Sequence, residues 1–158
     1  MNLFLSKFNN AIDKKGRVSV PASYRQAAVS ESFSGIVVYP SIRNNCIEAC
    51  SLKRLKELAE MIYNLDPYSE ERDAFETIIL GEAVQLTFDP EGRVTLPKHL
   101  IEFAGLDIQA CFVGKGQVFE IWSPEKFEAH LSKVKDIAAT NKLLLKNIHQ
   151  GSVVNERS

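Results

Sequence analysis

The stretch Ile12-Asp13-Lys14-Lys15-Gly16-Arg17-Val18-Ser19-Val20-Pro21 returns 76 residues later as Phe88-Asp89-Pro90-Glu91-Gly92-Arg93-Val94-Thr95-Leu96-Pro97. Shared in order are an apolar residue, Asp, two variable positions, Gly, Arg, Val, a hydroxyl residue, an aliphatic residue and Pro. Chance supplies two or three such matches, not the whole series. A weaker match lies further on, where Ile47-Glu48-Ala49-Cys50-Ser51 aligns with Phe119-Glu120-Ile121-Trp122-Ser123 at an offset of 72. An internal duplication defines the folding unit, so it comes before any other reading. The copies run 7–54 and 83–126. A helical connector, 55–82, separates them; a helical segment, 127–150, and a polar, loose tail, 151–158, follow.

In each copy the Asp-x-x-Gly-Arg run reads as the tight turn of a β-hairpin. Gly16 and Gly92 can take the positive φ that closes a three-residue hairpin loop, and the ring of Pro90 presets φ for an early turn position. Beyond the turn the pattern has a period of two. Val18 and Val20 face one side and Arg17 and Ser19 the other; Val94 and Leu96 repeat this against Arg93 and Thr95. Pro21 and Pro97 end these strands and suit the start of a helix, where a missing N–H costs nothing. Short helices follow over Ala22–Ala28 and Lys98–Ala104, the second stopped by Gly105.

A second hairpin completes each copy: Gly35–Tyr39 with Cys46–Ala49, and Ala110–Val113 with Val118–Trp122. The other segments are helical. Ser51 caps a helix striped by Leu52, Leu55, Leu58 and Ile62; Pro67 opens one that carries Phe75, Ile78 and Ile79 and stops near Gly81. Ser123 caps a third, with Pro124 first and Phe127, Leu131 and Val134 on its apolar face. The fold class is α+β.

Composition narrows the function. In 158 residues, 45% are hydrophobic and 25% charged, as in ordinary globular proteins. No apolar run is long enough to cross a bilayer, and the N-terminus lacks the pattern of a secretory signal, so a cytoplasmic protein is expected. Cys46, Cys50 and Cys111 are odd in number and lie outside zinc-ligand spacing, so they are read as small buried hydrophobes. No metal and no cofactor is expected. His99, His130 and His149 belong to no nucleophile or metal motif, which argues against an enzyme. Gly114-Lys115-Gly116 lacks the full phosphate-loop pattern. A net charge of −1 argues against indiscriminate coating of nucleic acid.

The order strand, Asp-x-x-Gly-Arg turn, strand, Pro, short helix, hairpin resembles the SpoVT-AbrB swapped-hairpin module. Two modules in one chain of this length resemble the MraZ family in particular. The supporting stretches are Asp13 to Pro21 with Tyr24-Arg25 after it, Ile79-Leu80-Gly81-Glu82-Ala83 leading into the second copy, and Phe119-Glu120-Ile121-Trp122 closing it. The resemblance implies two pseudo-symmetric modules, each β-hairpin, short helix and β-hairpin, interleaved into a swapped-hairpin β-barrel with flanking helices. It implies ring-like homo-oligomers without a membrane partner. It also implies a cytoplasmic, nucleoid-associated regulator that binds double-stranded DNA at short direct repeats upstream of the division and cell-wall gene cluster, its own gene included. The family's Asp-x-x-x-Arg motif carries over onto Asp13 and Arg17, and onto Asp89 and Arg93. The competing reading is a protein-interaction module, such as a toxin-neutralising antidote of the same fold; such proteins usually carry one copy.

Charge separates the two copies. Lys14, Lys15, Arg17 and Arg25 against Asp13 leave +3 between Ala11 and Ala28. Arg93 and Lys98 against Asp89, Glu91 and Glu102 leave −1 between Thr87 and Ala104. Cations meeting phosphates dominate affinity for DNA, so contact is assigned to the first copy: Arg17, Lys14, Lys15 and Arg25, with Lys7 beside them. Asp13, Gly16, Asp89, Gly92 and Arg93 are assigned to bracing the turns. For Arg17 an ion pair with Asp13 is the competing role.

Overall fold

The duplicated sequence folds into duplicated elements, and the copies trade strands. The computed structural model describes residues 3–146. Along the chain run β1 (Lys7–Ala11), β2 (Arg17–Ser19), α1 (Ala22–Ala28), β3 (Gly35–Pro40), β4 (Ile47–Cys50), α2 (Leu52–Tyr63) and α3 (Glu70–Phe75). After a π-helical turn, Glu76–Leu80, come β5 (Val84–Thr87), β6 (Arg93–Thr95), α4 (Lys98–Ala104), β7 (Gln109–Gly114), β8 (Phe119–Trp122) and α5 (Pro124–Thr140).

One antiparallel sheet has the order β1-β7-β8-β4-β3-β5. Read from either edge, it presents the first strand of one copy and then the hairpin of the other. β1 pairs with β7 from Lys7–Val113 to Ala11–Gln109. β5 pairs with β3 from Gly35–Thr87 to Val38–Val84. The hairpins β3–β4 and β7–β8 meet through β4 and β8. β2 and β6 form a separate two-stranded ribbon.

This arrangement corrects two expectations. The strands flanking the first Asp-x-x-Gly-Arg turn form no local ladder; one bridge, Ile12–Val18, joins them. The reason is that the other copy takes the next backbone groups. Leu96 N–H donates to the Gly16 carbonyl at 2.9 Å, and Val20 N–H to the Gly92 carbonyl at 3.1 Å. The sheet also stays open among the described residues, with β1 and β5 as its edges and the ribbon apart, so its ladders do not by themselves close the expected β-barrel.

Alternation in the strands builds two cores. Ile36, Val38, Ile47, Ala49, Ala110, Phe112, Phe119 and Ile121 are buried in one cluster with Tyr24 and Ala28 of α1, Leu100 and Ala104 of α4, and Val18, Val20, Val94 and Leu96 of the ribbon and the residues that follow its strands. On alternate positions, Tyr39 and Cys50 join Ile62 of α2 and Ile79 of the π turn, with Leu55, Leu58 and Phe75 against them.

Serine caps account for the starts of α2 and α3. The Ser51 hydroxyl accepts from Arg54 N–H at 3.1 Å and opens α2. The expected start at Pro67 moves to Ser69, whose hydroxyl accepts from Arg72 N–H at 3.2 Å. Pro67 lies instead in a turn held by Asp66, whose carboxylate accepts from Tyr68 N–H at 3.0 Å. α5 lies in a second compact unit, which begins at Glu125. The expected tail, 151–158, and His149 lie outside the described residues.

Candidate nucleic-acid interface

The two Asp-x-x-Gly-Arg turns are closed by the same hydrogen bonds. Asp13 N–H donates to the Arg17 carbonyl at 3.0 Å, and Gly16 N–H to the Asp13 carbonyl at 3.0 Å. The Asp13 carboxylate accepts from Lys15 N–H at 3.0 Å, from Arg17 N–H at 2.9 Å and from Arg17 Nε at 2.6 Å. In the second turn Asp89 accepts from Glu91 N–H, Arg93 N–H and Arg93 Nε, each at 2.9 Å. Gly16 and Gly92 hold φ of +82° and +79°, a conformation that a Cβ would strain. An Asp and a Gly four and one residues before an Arg therefore make a rigid platform for that guanidinium.

The chemistry of the two platforms differs. Glu91 Oε2 lies 3.7 Å from a terminal nitrogen of Arg93. The corresponding position in the first turn is Lys15, so Arg17 keeps its terminal nitrogens for an outside acceptor once Nε has bound Asp13. Lys14 and Lys15 are exposed at the tip, and Lys7 is exposed at the start of β1. The Arg17 side chain is 38% exposed and that of Arg93 28%.

Arg25 sits elsewhere. Its guanidinium donates to the Val20 carbonyl and packs over the second copy's turn. A methyl group added to Gly92 would lie 2.7 Å from the guanidinium carbon. The repeat-equivalent residue, Ile101, covers Gly16 in the same way, at 3.2 Å from such a methyl. The 76-residue offset relates Arg25 to Ile101 in the sequence, and that signal identifies them as equivalent lids; it does not reveal that each covers the other copy's glycine.

Both turn carboxylates are held below the usual aspartate range. The largest cause is the backbone N–H of Arg17 for Asp13, and that of Arg93 for Asp89. Desolvation opposes it, and the arginine side chain and a second N–H add to it. Arg93 is pushed up by its hydrogen bond to Asp89, against desolvation. A depressed carboxylate stabilises the fold fully above the unfolded range, about pH 4, and that contribution disappears as pH falls through the folded value. The expected result is a loss of urea resistance below about pH 4 that shrinks in an Asp13→Asn, Asp89→Asn variant. Equal acid loss in both proteins would exclude these aspartates as its source.

Among the described residues no group of three or more His, Cys, Asp or Glu side chains could hold a metal ion. Burial lifts the Cys46 thiol well above its ordinary value and Cys50 to about 12, which keeps both protonated and unreactive. His99 stands at the surface, 3.7 Å from Glu82. Glu120, 2% exposed, accepts from Trp122 Nε1 at 2.9 Å and from Lys115 Nζ at 3.3 Å, which accounts for its burial. Among the described residues no helix is long and apolar enough to cross a membrane.

Comparison with known proteins agrees with the duplication. The family model described as "MraZ protein, putative antitoxin-like" matches residues 3–72 and again 79–146. A protein of Rickettsia bellii (strain OSU 85-389), named "Transcriptional regulator MraZ", is 62% identical over 148 residues, covering 93% of this chain and 99% of the relative. Its namesake in Rickettsia africae (strain ESF-5) is 59% identical over 149 residues, covering 94% of this chain and 100% of the relative.

Proposed function

The chain belongs to the MraZ family, and from that premise we propose that it is a sequence-specific DNA-binding transcriptional regulator. It acts without a cofactor or metal and catalyses no reaction. Its targets are short direct repeats upstream of the division and cell-wall gene cluster, including its own gene. The working parts are the modules 7–54 and 83–126, in the swapped-hairpin arrangement that the exchanged strands support. The connector 55–82 and the segment 127–150 flank them.

The observation that carries the reading is the difference between the two turns. Identical backbone platforms present Lys14, Lys15 and Arg17 in one copy and Glu91 with Arg93 in the other. Arg17 meets a phosphate or a guanine edge. Lys14 and Lys15 meet phosphates, and Lys7 extends the positive surface. Arg25, engaged with Val20 and lying over Gly92, offers DNA a further cation beside the second copy's turn. Asp13, Gly16, Asp89, Gly92 and Arg93 hold the turns in shape.

One such patch carries few cations and binds weakly at cellular salt. A ring-like homo-oligomer in the cytoplasm, associated with the nucleoid, presents several patches to repeats about one helical turn apart and gains avidity without new contacts. The test is footprinting and a salt titration on DNA upstream of the chain's own gene. Lys14→Ala or Lys15→Ala is expected to weaken binding to all sequences alike and to lower the salt slope by about one ion each. An unchanged slope removes that lysine from the interface.

The wording "antitoxin-like" favours a second reading, a toxin-neutralising partner. Co-purification of a small partner protein, with no protection of upstream DNA, would replace the first reading by this one.

A further inference from the structure

The register of the β2–β6 ribbon places residues of the two copies side by side. Arg17 stands directly opposite Thr95, and Ser19 opposite Arg93. Directly paired residues of an antiparallel ladder project from the same face, with Cβ atoms about 5 Å apart. Val18 and Val94 occupy the other face and are 1% exposed. The outward face therefore carries Arg17, Thr95, Ser19 and Arg93, and both hydroxyl residues are exposed. Neither hydroxyl has a protein partner among the described residues.

The ribbon is polarised. At one end Arg17 and Thr95 adjoin Lys14, Lys15 and Asp13; at the other Arg93 and Ser19 adjoin Asp89, Glu91 and the Arg25 guanidinium over Gly92, so the first end keeps an excess of cations and the second is balanced. A two-stranded ribbon fits the major groove, where threonine supplies a hydroxyl to base edges and a methyl to thymine. Resting on the DNA-binding reading above, we propose that the reading end is built from both copies. Thr95 of the second copy is a specificity-determining residue beside Arg17 of the first. The equivalent Ser19, at the end that carries Glu91, faces no base.

The pseudo-symmetry supplies its own control. Thr95→Val keeps the β-branched shape and removes only the hydroxyl, and Ser19→Ala removes the matching hydroxyl at the other end. Kd is measured for the full chain on DNA upstream of its own gene and on a scrambled duplex of equal length, at one salt concentration and across a salt series. Thr95→Val is expected to lower discrimination between the two duplexes about five- to tenfold, with an unaltered salt slope. Ser19→Ala is expected to leave discrimination within about twofold. Unchanged discrimination in Thr95→Val, an equal loss on both duplexes, or an equal effect of Ser19→Ala overturns the proposal while the DNA-binding reading stands. A wild-type chain that does not discriminate overturns both.

Discussion

Replacing Arg17 by Ala is expected to weaken binding to the upstream DNA at least tenfold and to leave thermal unfolding nearly unmoved. A guanidinium that grips a guanine edge through two nitrogens contributes about 1–3 kcal/mol of discrimination, and one that grips a phosphate adds affinity for every sequence alike. Arg17 can offer its terminal nitrogens because Nε alone holds Asp13. The turn survives the change, since the Asp13 carboxylate keeps its bonds from the Lys15 and Arg17 N–H groups and Gly16 keeps its bond to the Asp13 carbonyl. The exposed ion pair itself contributes little to stability. Arg17→Lys retains the charge without the planar fork, so it is expected to recover nonspecific affinity and not discrimination. Arg93→Ala is the comparison: its guanidinium is shared between Asp89 and Glu91, and its loss is expected to cost much less binding. If Arg93→Ala abolishes binding and Arg17→Ala does not, the roles of the two copies are reversed.

The largest effect on stability is expected at Tyr24. Its ring lies 4.8 Å from Phe119, 5.5 Å from Phe4, 5.6 Å from Phe8 and 6.2 Å from Phe112, mostly edge-on or tilted. The residue is fully buried, and its hydroxyl donates to the Ser6 carbonyl at 2.6 Å. Burial raises the phenol to about 12, so it remains a donor at every physiological pH. Ser6 holds a φ of +75°, so this bond anchors a strained residue just before β1. Tyr24→Ala is expected to cost about 3–5 kcal/mol of unfolding free energy, measured by urea denaturation at fixed protein concentration. Tyr24→Phe, which keeps the ring and loses the hydroxyl with its bond to Ser6, is expected to cost about 1 kcal/mol. A Tyr24→Ala loss no larger than that of Tyr24→Phe would show that the aromatic cluster does not hold the two copies together.

What the sequence reveals here divides by range. The two turns, both short helices, the Ser51 cap and the alternation of Val18, Val20, Val94 and Leu96 are legible, because each depends on residues within a few positions. The exposure of Lys14 and Lys15 follows from the turn alone. Strand partners are not legible. Lys7-Phe8-Asn9-Asn10-Ala11 carries no mark that selects β7 over β2, since a backbone ladder is nearly indifferent to side-chain type. The same limit governs Arg25, which reads as an exposed cation until the other copy's Gly92 arrives beneath it. The start of α3 is obscured locally, by two competing signals two residues apart, Pro67 and the Ser69 cap.

The exchange of first strands also sets a timetable for synthesis. Lys7 finds its ladder partner only at Val113, about one hundred residues downstream. At about 5–20 residues per second the ribosome needs several seconds to deliver β7. Meanwhile β3 waits for β5 with one backbone edge bare, and Tyr24 waits for Phe112 and Phe119. A nascent first copy is thus an unfinished surface with open hydrogen-bonding groups and an aromatic side chain in water. Two such chains on neighbouring ribosomes could complete each other before either completes itself, so crowded translation of this message favours intertwined products over single ones.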